Sequence, residues 1–173
     1  MNLIYIPANA ILETVDLIIA NDGDATFSTY VNDSLVILSQ GFTVSNCVIQ
    51  SISFKNAGNS NCGEYDIRLS IYDCVGDIPT TKISDSVNLV YAGPPQRYMQ
   101  FDFNNLHLAS GKYCFVTSYE NVNYISYIPW AQDGFTANRF GVYTGGKTAN
   151  KVGDGNWRTY DNYALVSFIT IIK

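Results

Sequence analysis

The sequence predicts an all-β protein whose antiparallel sheets pack as a β-sandwich. Short β-type segments recur along the chain, and clusters of Gly, Asn, Asp, Ser and Pro separate them. Several of these segments alternate apolar and polar residues with a period of two, which is typical of strands with one buried face. The chain from residue 40 onward contains no long 3.6-residue period between strands, so a βαβ fold is not expected.

The composition suits a single domain that presents a polar, tyrosine-rich surface. The chain has 173 residues and is 47% hydrophobic, which is enough for one core. Charged residues make up only 14%, below the average of about 25%. The 13 tyrosines each offer a rigid apolar ring and a hydroxyl, which suits contacts with proteins or sugars.

The first element is the apolar segment 11–20. Its apolar positions fit a helical stripe, but its β-branched residues favour a strand. The turn-forming sequence Asn-Asp-Gly-Asp at 21–24 follows. Residues 1–25 are therefore predicted to be an N-terminal arm or the first hairpin, and residues 26–173 to be the sandwich.

Eight further segments are predicted to be strands. In 65–72, the aliphatic residues at 67, 69 and 71 alternate with polar residues at 66, 68 and 70, and 97–103 alternates in the same way. Each of these two strands should therefore have one buried face. The full set is 48–54, 65–72, 86–91, 97–103, 112–119, 124–128, 139–143 and 163–172.

Charge and terminal sequence argue against nucleic-acid and membrane partners. The net charge is −5, and the ten Lys and Arg residues are scattered singly. The N-terminal residues lack a basic region, and Glu13 and Asp16 interrupt the apolar segment 11–20. We expect neither a signal peptide nor a membrane span.

The four cysteines, Cys47, Cys62, Cys74 and Cys114, contain no Cys-x-x-Cys pair. We expect free thiols, with Cys114 acting as a small buried hydrophobic residue because it alternates with aromatic residues in a strand. A Cys₄ zinc site is allowed by the number of cysteines but does not fit the usual spacing. No metal or other cofactor is predicted.

The sequence does not predict an enzyme. The single histidine, His107, would have to serve any Ser-His-Asp arrangement, and no Gly-x-Ser-x-Gly motif accompanies it. The acidic residues lie mostly beside Gly or Asn, which is typical of turns rather than of paired catalytic carboxylates. The Asn-Asp-Gly-Asp sequence at 21–24 and the Asp-Gly-Asn sequence at 154–156 are weak calcium candidates that we interpret as turns.

The best candidate sugar site consists of aromatic residues with polar neighbours. Trp130 precedes Gln132 and Asp133, and Tyr160 lies near the end of a stretch rich in Gly, Asn and Thr. An aromatic ring can stack on a pyranose while amides and carboxylates bind its hydroxyls. Trp157 is a second tryptophan, which we expect to lie in the core.

The order of several segments resembles a jelly-roll sandwich module of bacteriophage virion proteins, which also occurs in extracellular bacterial proteins and is often called carbohydrate-binding-like. The resemblance spans about three quarters of the chain and depends on the order of short segments, each common by itself. These are 39–44 (SQGFTV), 49–54 (IQSISF), 67–73 (IRLSIYD), 76–79 (GDIP), 100–103 (QFDF), 108–113 (LASGKY), 124–127 (YISY), Trp157 and 163–168 (YALVSF).

The resemblance implies a non-enzymatic virion structural protein, such as a capsid decoration protein, head fibre or tail accessory protein. Its partners would be capsid or tail proteins of the same virion, in a symmetric oligomeric assembly put together in the host cytoplasm. Residues 1–25 fall outside the resemblance and are expected to make the particle-specific contact. The alternative is a carbohydrate-binding module that attaches a particle or partner to a surface glycan.

Overall fold

A computed structural model describes residues 12–16, 25–27, 30–31, 34–55, 66–91, 98–120, 130–133, 146–160, 164–165 and 167–172. All regular secondary structure in these ranges is β-strand. The predicted all-β antiparallel class is therefore confirmed. Within the same ranges, the structure contains no helix with the length and apolar character needed to cross a membrane.

The described part of the chain contains fifteen short or medium-length strands. They are β1 (Leu12–Asp16), β2 (Ala25–Phe27), β3 (Tyr30–Val31), β4 (Ser34–Val44), β5 (Cys47–Lys55), β6 (Asp66–Val75), β7 (Ile78–Asp85), β8 (Val90–Tyr91), β9 (Tyr98–Leu108), β10 (Gly111–Glu120), β11 (Trp130–Asp133), β12 (Thr148–Val152), β13 (Arg158–Tyr160), β14 (Ala164–Leu165) and β15 (Ser167–Ile172).

Three antiparallel sheets arise from these strands. The first has four strands in the order β1-β15-β5-β9. The second has the order β13-β12-β4-β10-β6-β7, with β3 beside β4 and β8 beside β6. The third is small and has the order β14-β11-β2. Every recorded strand pair is antiparallel, as the alternating sequence pattern predicts.

One apolar core lies between the first and second sheets, which gives a sandwich-like arrangement. In the first sheet, Phe101 of β9 is fully buried and pairs with Ile52 of β5. In the second sheet, the ring centres of Phe42 and Phe115 are 6.1 Å apart. Core side chains come from β4, β5, β6, β9, β10 and β15. Burying these apolar surfaces is the main stabilising contribution to such a fold.

The predicted alternation is confirmed in β6 and β9, where every second residue of 67–71 and 99–103 is apolar and enters the core. Ser70 is an exception, because it is 5% exposed although it lies on the face opposite the core. The preference for a strand in 11–20 is confirmed for β1. Predicted strands 124–128 and 139–143 lie outside the described residues.

Two predictions need correction. The predicted strand 86–91 is a strand only at β8. Residues 86–88 link β7 to β8, which both pair with β6 in the second sheet, and they reach β9 of the first sheet only through hydrogen bonds. Trp157 is not in the core: it is half-buried, with Lys151 Nζ 5.7 Å from its ring centre. A cation above an indole ring is favourable, and this contact keeps the ring near the surface.

Residues 86–88 are held by side-chain and backbone hydrogen bonds instead of regular strand pairing. Ser86 donates its backbone N–H to Leu69 O, and its hydroxyl accepts the N–H of Leu69. The Asn88 amide then donates to Gln100 O and accepts the N–H of Asp102. We call residues 86–88 the strap. The strap joins β6 of the second sheet to β9 of the first.

Candidate interaction surface

The two ends of the sandwich differ sharply in how their strands are joined. Two-residue turns at 45–46, 76–77 and 109–110 join β4 to β5, β6 to β7 and β9 to β10. Because neighbouring strands are antiparallel, these three turns lie at one end, which we call the tight-turn end. The longer connections between the core strands begin and end at the opposite end, which we call the connection end.

Hydrogen bonds between two turns fix the tight-turn end. Asn46 and Ser110 are bonded in both directions: Asn46 N–H donates to Ser110 Oγ at 3.0 Å, and Ser110 N–H donates to Asn46 Oδ1 at 2.7 Å. These short polar residues are suited to turns, because their side chains can satisfy nearby backbone groups. The bonds tie the turn after β4 to the turn after β9.

A buried carboxylate holds the third turn against the second sheet. Gly76 and Asp77 have φ angles of 58° and 70°, as in the type I′ turns that suit two-residue hairpins. Asp77 is 4% exposed, and its Oδ1 accepts bonds from Lys112 Nζ at 2.7 Å and from the N–H of Lys147 at 2.8 Å. The burial of this charge is therefore compensated by a cation and a backbone donor.

The strand edges near the strap offer few free pairing groups. The strap satisfies backbone groups of Gln100 and Asp102 on the edge of β9. Strand β7, at the edge of the second sheet, contains Pro79 and Lys82 and has two register irregularities against β6. Proline, lysine and bulges are the usual features that prevent edge-to-edge pairing. These two edges are poorly suited to strand addition by a partner.

Ion pairs organise the outer face of β6 toward the connection end. Arg68 binds both carboxylate oxygens of Glu120, at 2.5 and 3.2 Å, and also donates to Ser86 O at 2.8 Å. The hydrogen bond with Arg68 holds the pKa of Glu120 below its usual value, and the same bond raises the pKa of Arg68. The fork links β6, β10 and the strap.

A second carboxylate, Asp85, lies on β7 beside the same face. Burial opposes its ionisation, but hydrogen bonds from Ser70 Oγ at 2.5 Å and Lys82 Nζ at 3.0 Å outweigh that effect, so the pKa of Asp85 is lowered. The hydrogen bond to Asp85 raises the pKa of Lys82. Both groups are charged near neutral pH and stabilise the β6–β7 pair.

The predicted sugar-site residues lie in two different sheets. Trp130, Gln132 and Asp133 belong to β11, whose backbone pairs with β2 and β14 in the small third sheet. Tyr160 ends β13 at the edge of the second sheet, and its hydroxyl donates to Asn150 Oδ1 at 3.2 Å. The strand pairing thus links the first three residues to one another but does not link them to Tyr160.

The strands of the third sheet all come from the long connections between core strands. Strand β2 lies between β1 and β4, whereas β11 and β14 lie between β10 and β15. Two separate excursions of the chain therefore meet through backbone pairing. No periodic sequence pattern predicts this pairing, because the strands involved are only two to four residues long.

Two other candidates take no part in a cluster suited to catalysis. His107 is an exposed residue on β9, in the shallow groove formed with Asn46, Val48 and Ile172 at the tight-turn end. The calcium candidate at 154–156 lies in the exposed link between β12 and β13, and the candidate at 21–24 lies outside the described residues. Within the described ranges, no three His, Cys, Asp or Glu side chains are grouped so that they could hold a metal ion.

The connection end is the candidate interaction surface, since the longer connections between the core strands begin and end there and one of them contains β11 with three predicted contact residues. Searches against protein-family models and against curated proteins found no match to this chain.

Proposed function

We propose that this protein is a non-enzymatic structural subunit of a bacteriophage particle, acting as a capsid decoration protein, head fibre or tail accessory protein. Its jelly-roll sandwich would hold the connection end toward neighbouring subunits. The strand order is the observation that carries this proposal. Jelly rolls made of two sheets are recurrent in viral capsid and lectin domains.

The strand order supports a jelly roll when the eight main strands are numbered along the chain. Taking β1, β4, β5, β6, β7, β9, β10 and β15 as strands one to eight, the first sheet has the order 1-8-3-6. The corresponding part of the second sheet has the order 2-7-4-5. An eight-stranded jelly roll alternates its strands between two sheets in this way, so the order supports the proposed fold. Strands β12 and β13 extend the second sheet beyond β4, β3 and β8 pair beside β4 and β6, and β2, β11 and β14 form the third sheet.

The distribution of polar groups supports a structural rather than catalytic role. The carboxylates of Asp77, Asp85 and Glu120 each bind a cationic side chain of the same chain. Such pairs fix strands and turns, whereas a catalytic acid or base needs access to a substrate. In a symmetric particle, many copies of a modest contact would add through multivalency.

The proposed contact surface follows from the contrast between the two ends. The tight-turn end has short turns bonded to one another, and the β7 and β9 edges resist strand addition. The connection end and the segment 1–25, which includes the edge strand β1, are left for partner contacts. Loops carried on a rigid scaffold are the usual location of recognition residues.

Mass spectrometry of purified particles tests the assignment directly. Stoichiometric recovery of this polypeptide with capsid or tail proteins would support it, and absence from washed, infectious particles would refute it. Purified protein should also rebind particles that lack it. Trp130→Ala should weaken rebinding, whereas Val75→Ser, at a 73% exposed position of the tight-turn end, should not.

A glycan array distinguishes the carbohydrate-binding alternative. Binding of the isolated protein to a defined polysaccharide, abolished by Trp130→Ala, together with absence from particles would replace the structural assignment. Retained particle association without glycan binding would support it. Circular dichroism and thermal unfolding of each variant would show whether a loss reflects the contact rather than the fold.

A further inference from the structure

Two cysteines lie on the outer face of the second sheet, away from the core. Cys114 of β10 is opposite Tyr72 of β6, and Cys74 follows two residues after Tyr72 on the same strand. Because side chains alternate along a strand, Cys74 and Cys114 project from the same face. Both are free thiols; Cys114 is fully buried and Cys74 is half-buried.

The turn at 76–77 brings these two thiols together. The Cys114 thiol donates to the carbonyl oxygen of Asp77 at 3.5 Å, and Asp77 follows Cys74 by only three residues. Cys74 lies diagonally across from Cys114 on the same face, two residues before this turn. Lys112 is bound to the Asp77 carboxylate at 2.7 Å and compensates its charge beside the same turn.

The spacing suits a bridging ion better than a disulfide. Diagonal neighbours on adjacent strands have Cα atoms about 7–8 Å apart. A disulfide usually requires about 4.4–6.8 Å, so its formation here would move the backbone. Two metal–sulfur bonds of about 2.3 Å each instead let the sulfur atoms remain as much as roughly 4.6 Å apart.

A buried hydroxyl next to Cys114 is placed to stabilise a thiolate. Ser39 is opposite Val116, two residues along β10 from Cys114, on the same face. Its Oγ is inaccessible to solvent and has no hydrogen-bond partner of standard geometry in the described part of the chain. It is nevertheless close enough to Cys114 to favour the thiolate form. A hydrogen-bond donor that contacts the ligand rather than the metal commonly orients and stabilises that ligand.

The environment selects for a strongly thiophilic ion. The proposed ligands on this face are two free thiols, one of them buried, so an entering ion must favour thiolate over oxygen ligands. Soft d¹⁰ ions bind thiolates in this way and accept low coordination numbers, whereas hard ions prefer several oxygen ligands. Cys74, being partly accessible, provides the point of entry.

We propose that Cys74 and Cys114 form a two-coordinate site for one soft monovalent cation of the Cu(I) class. Each S–H bond breaks as a sulfur–copper bond forms, and the two protons go to solvent. The copper stays in the monovalent state, and the bis-thiolate centre carries one net negative charge. Ser39 donates to the Cys114 thiolate, and Lys112 remains paired with the neighbouring Asp77 carboxylate.

Anaerobic competition between the full-length protein and a chromophoric Cu(I) chelator tests the site. The reduced protein should withdraw one equivalent of Cu(I), and the affinity should rise with pH because two protons are released. Cys74→Ser and Cys114→Ser each remove one of two ligands, so each should lower the affinity more than the roughly 100-fold that losing an outer-shell partner can cost. Cys47→Ser and Cys62→Ser serve as matched thiol controls and should bind as the wild type does.

A second measurement keeps the test independent of folding. One equivalent of Cu(I) should raise the Tm of the wild type but not that of Cys74→Ser, whose substituted side chain is only half-buried. Equal Cu(I) uptake by wild type, Cys74→Ser and Cys114→Ser would overturn the site. So would a Cys74–Cys114 disulfide formed with oxidised glutathione in a protein that takes up no Cu(I).

Discussion

The Asn88 side chain acts as a substitute strand for Asp102: its Oδ1 accepts the Asp102 N–H at 2.7 Å while its Nδ2 donates to Gln100 O at 3.0 Å. One amide group thereby satisfies a donor and an acceptor on the edge of β9. The preceding residue, Val87, adds a bond from its N–H to Asp102 O at 2.8 Å. The Asn88 side chain thus covers part of the β9 edge, where another strand could otherwise pair.

Replacing Asn88 by alanine should therefore lower the free energy of unfolding by about 1–2 kcal/mol, because two partly exposed backbone groups lose their partner. Asn88→Asp should also destabilise, since it keeps the acceptor but loses the donor to Gln100 O. Urea unfolding measures both changes. The control is Asn156→Ala at an exposed position, which should stay within about 0.5 kcal/mol. A similarly small change for Asn88→Ala would contradict the proposed role of the strap.

The strap also shows where sequence patterns lose information. The segment 86–91 has the composition of a strand, yet Ser86 and Asn88 bond through side chains as well as backbone atoms. Period-two alternation identifies β6 and β9 because their alternate residues enter one core. It missed β7, whose central residues are exposed on both faces and which contains Pro79. Edge strands lack the burial contrast that the pattern detects.

Only the short-range part of the candidate site could be predicted from the sequence. Trp130, Gln132 and Asp133 are close in sequence, so their presence on one short strand requires no long-range information. The pairing of β11 with β2 joins residues about a hundred positions apart, and nothing in local sequence encodes it. Likewise, the contact of Asp77 with Lys147 connects a turn to a distant segment through a backbone N–H, which carries no sequence signature.

Gly41 is required because Asp77 and residue 146 pass directly over it. A Cβ at this position would collide with Asp77 Oδ1 and would lie 3.2 Å from the Cα of Gly146. Gly41→Ala should therefore destabilise the protein by about 1–3 kcal/mol, the usual range for overpacking a close-packed site. Thermal and urea unfolding measure this loss.

A double-mutant cycle identifies the contact responsible. In an Asp77→Ala background, the added methyl group no longer meets the carboxylate, so Gly41→Ala should cost less there than in the wild type. Gly76→Ala is a useful comparison, because its Cβ meets no atom within 4 Å and only its positive φ is unfavourable. It should cost about 1 kcal/mol. Equal effects of Gly41→Ala in both backgrounds would exclude the Asp77 contact as the cause.

Acid stability should report on Asp85. Its pKa is lower in the folded protein because the bonds from Ser70 and Lys82 outweigh the effect of burial. A carboxylate with a lowered folded pKa stabilises the fold at pH values above its unfolded pKa, about 3.9, and loses that contribution as pH falls through the folded pKa. Asp85→Asn should thus be less stable than wild type at pH 7, and the difference should shrink below about pH 4. Urea unfolding at a series of pH values tests this, with Asp154→Asn as an exposed control. Parallel stability curves for wild type and Asp85→Asn from pH 7 to pH 2 would show that ionised Asp85 is not stabilised by folding.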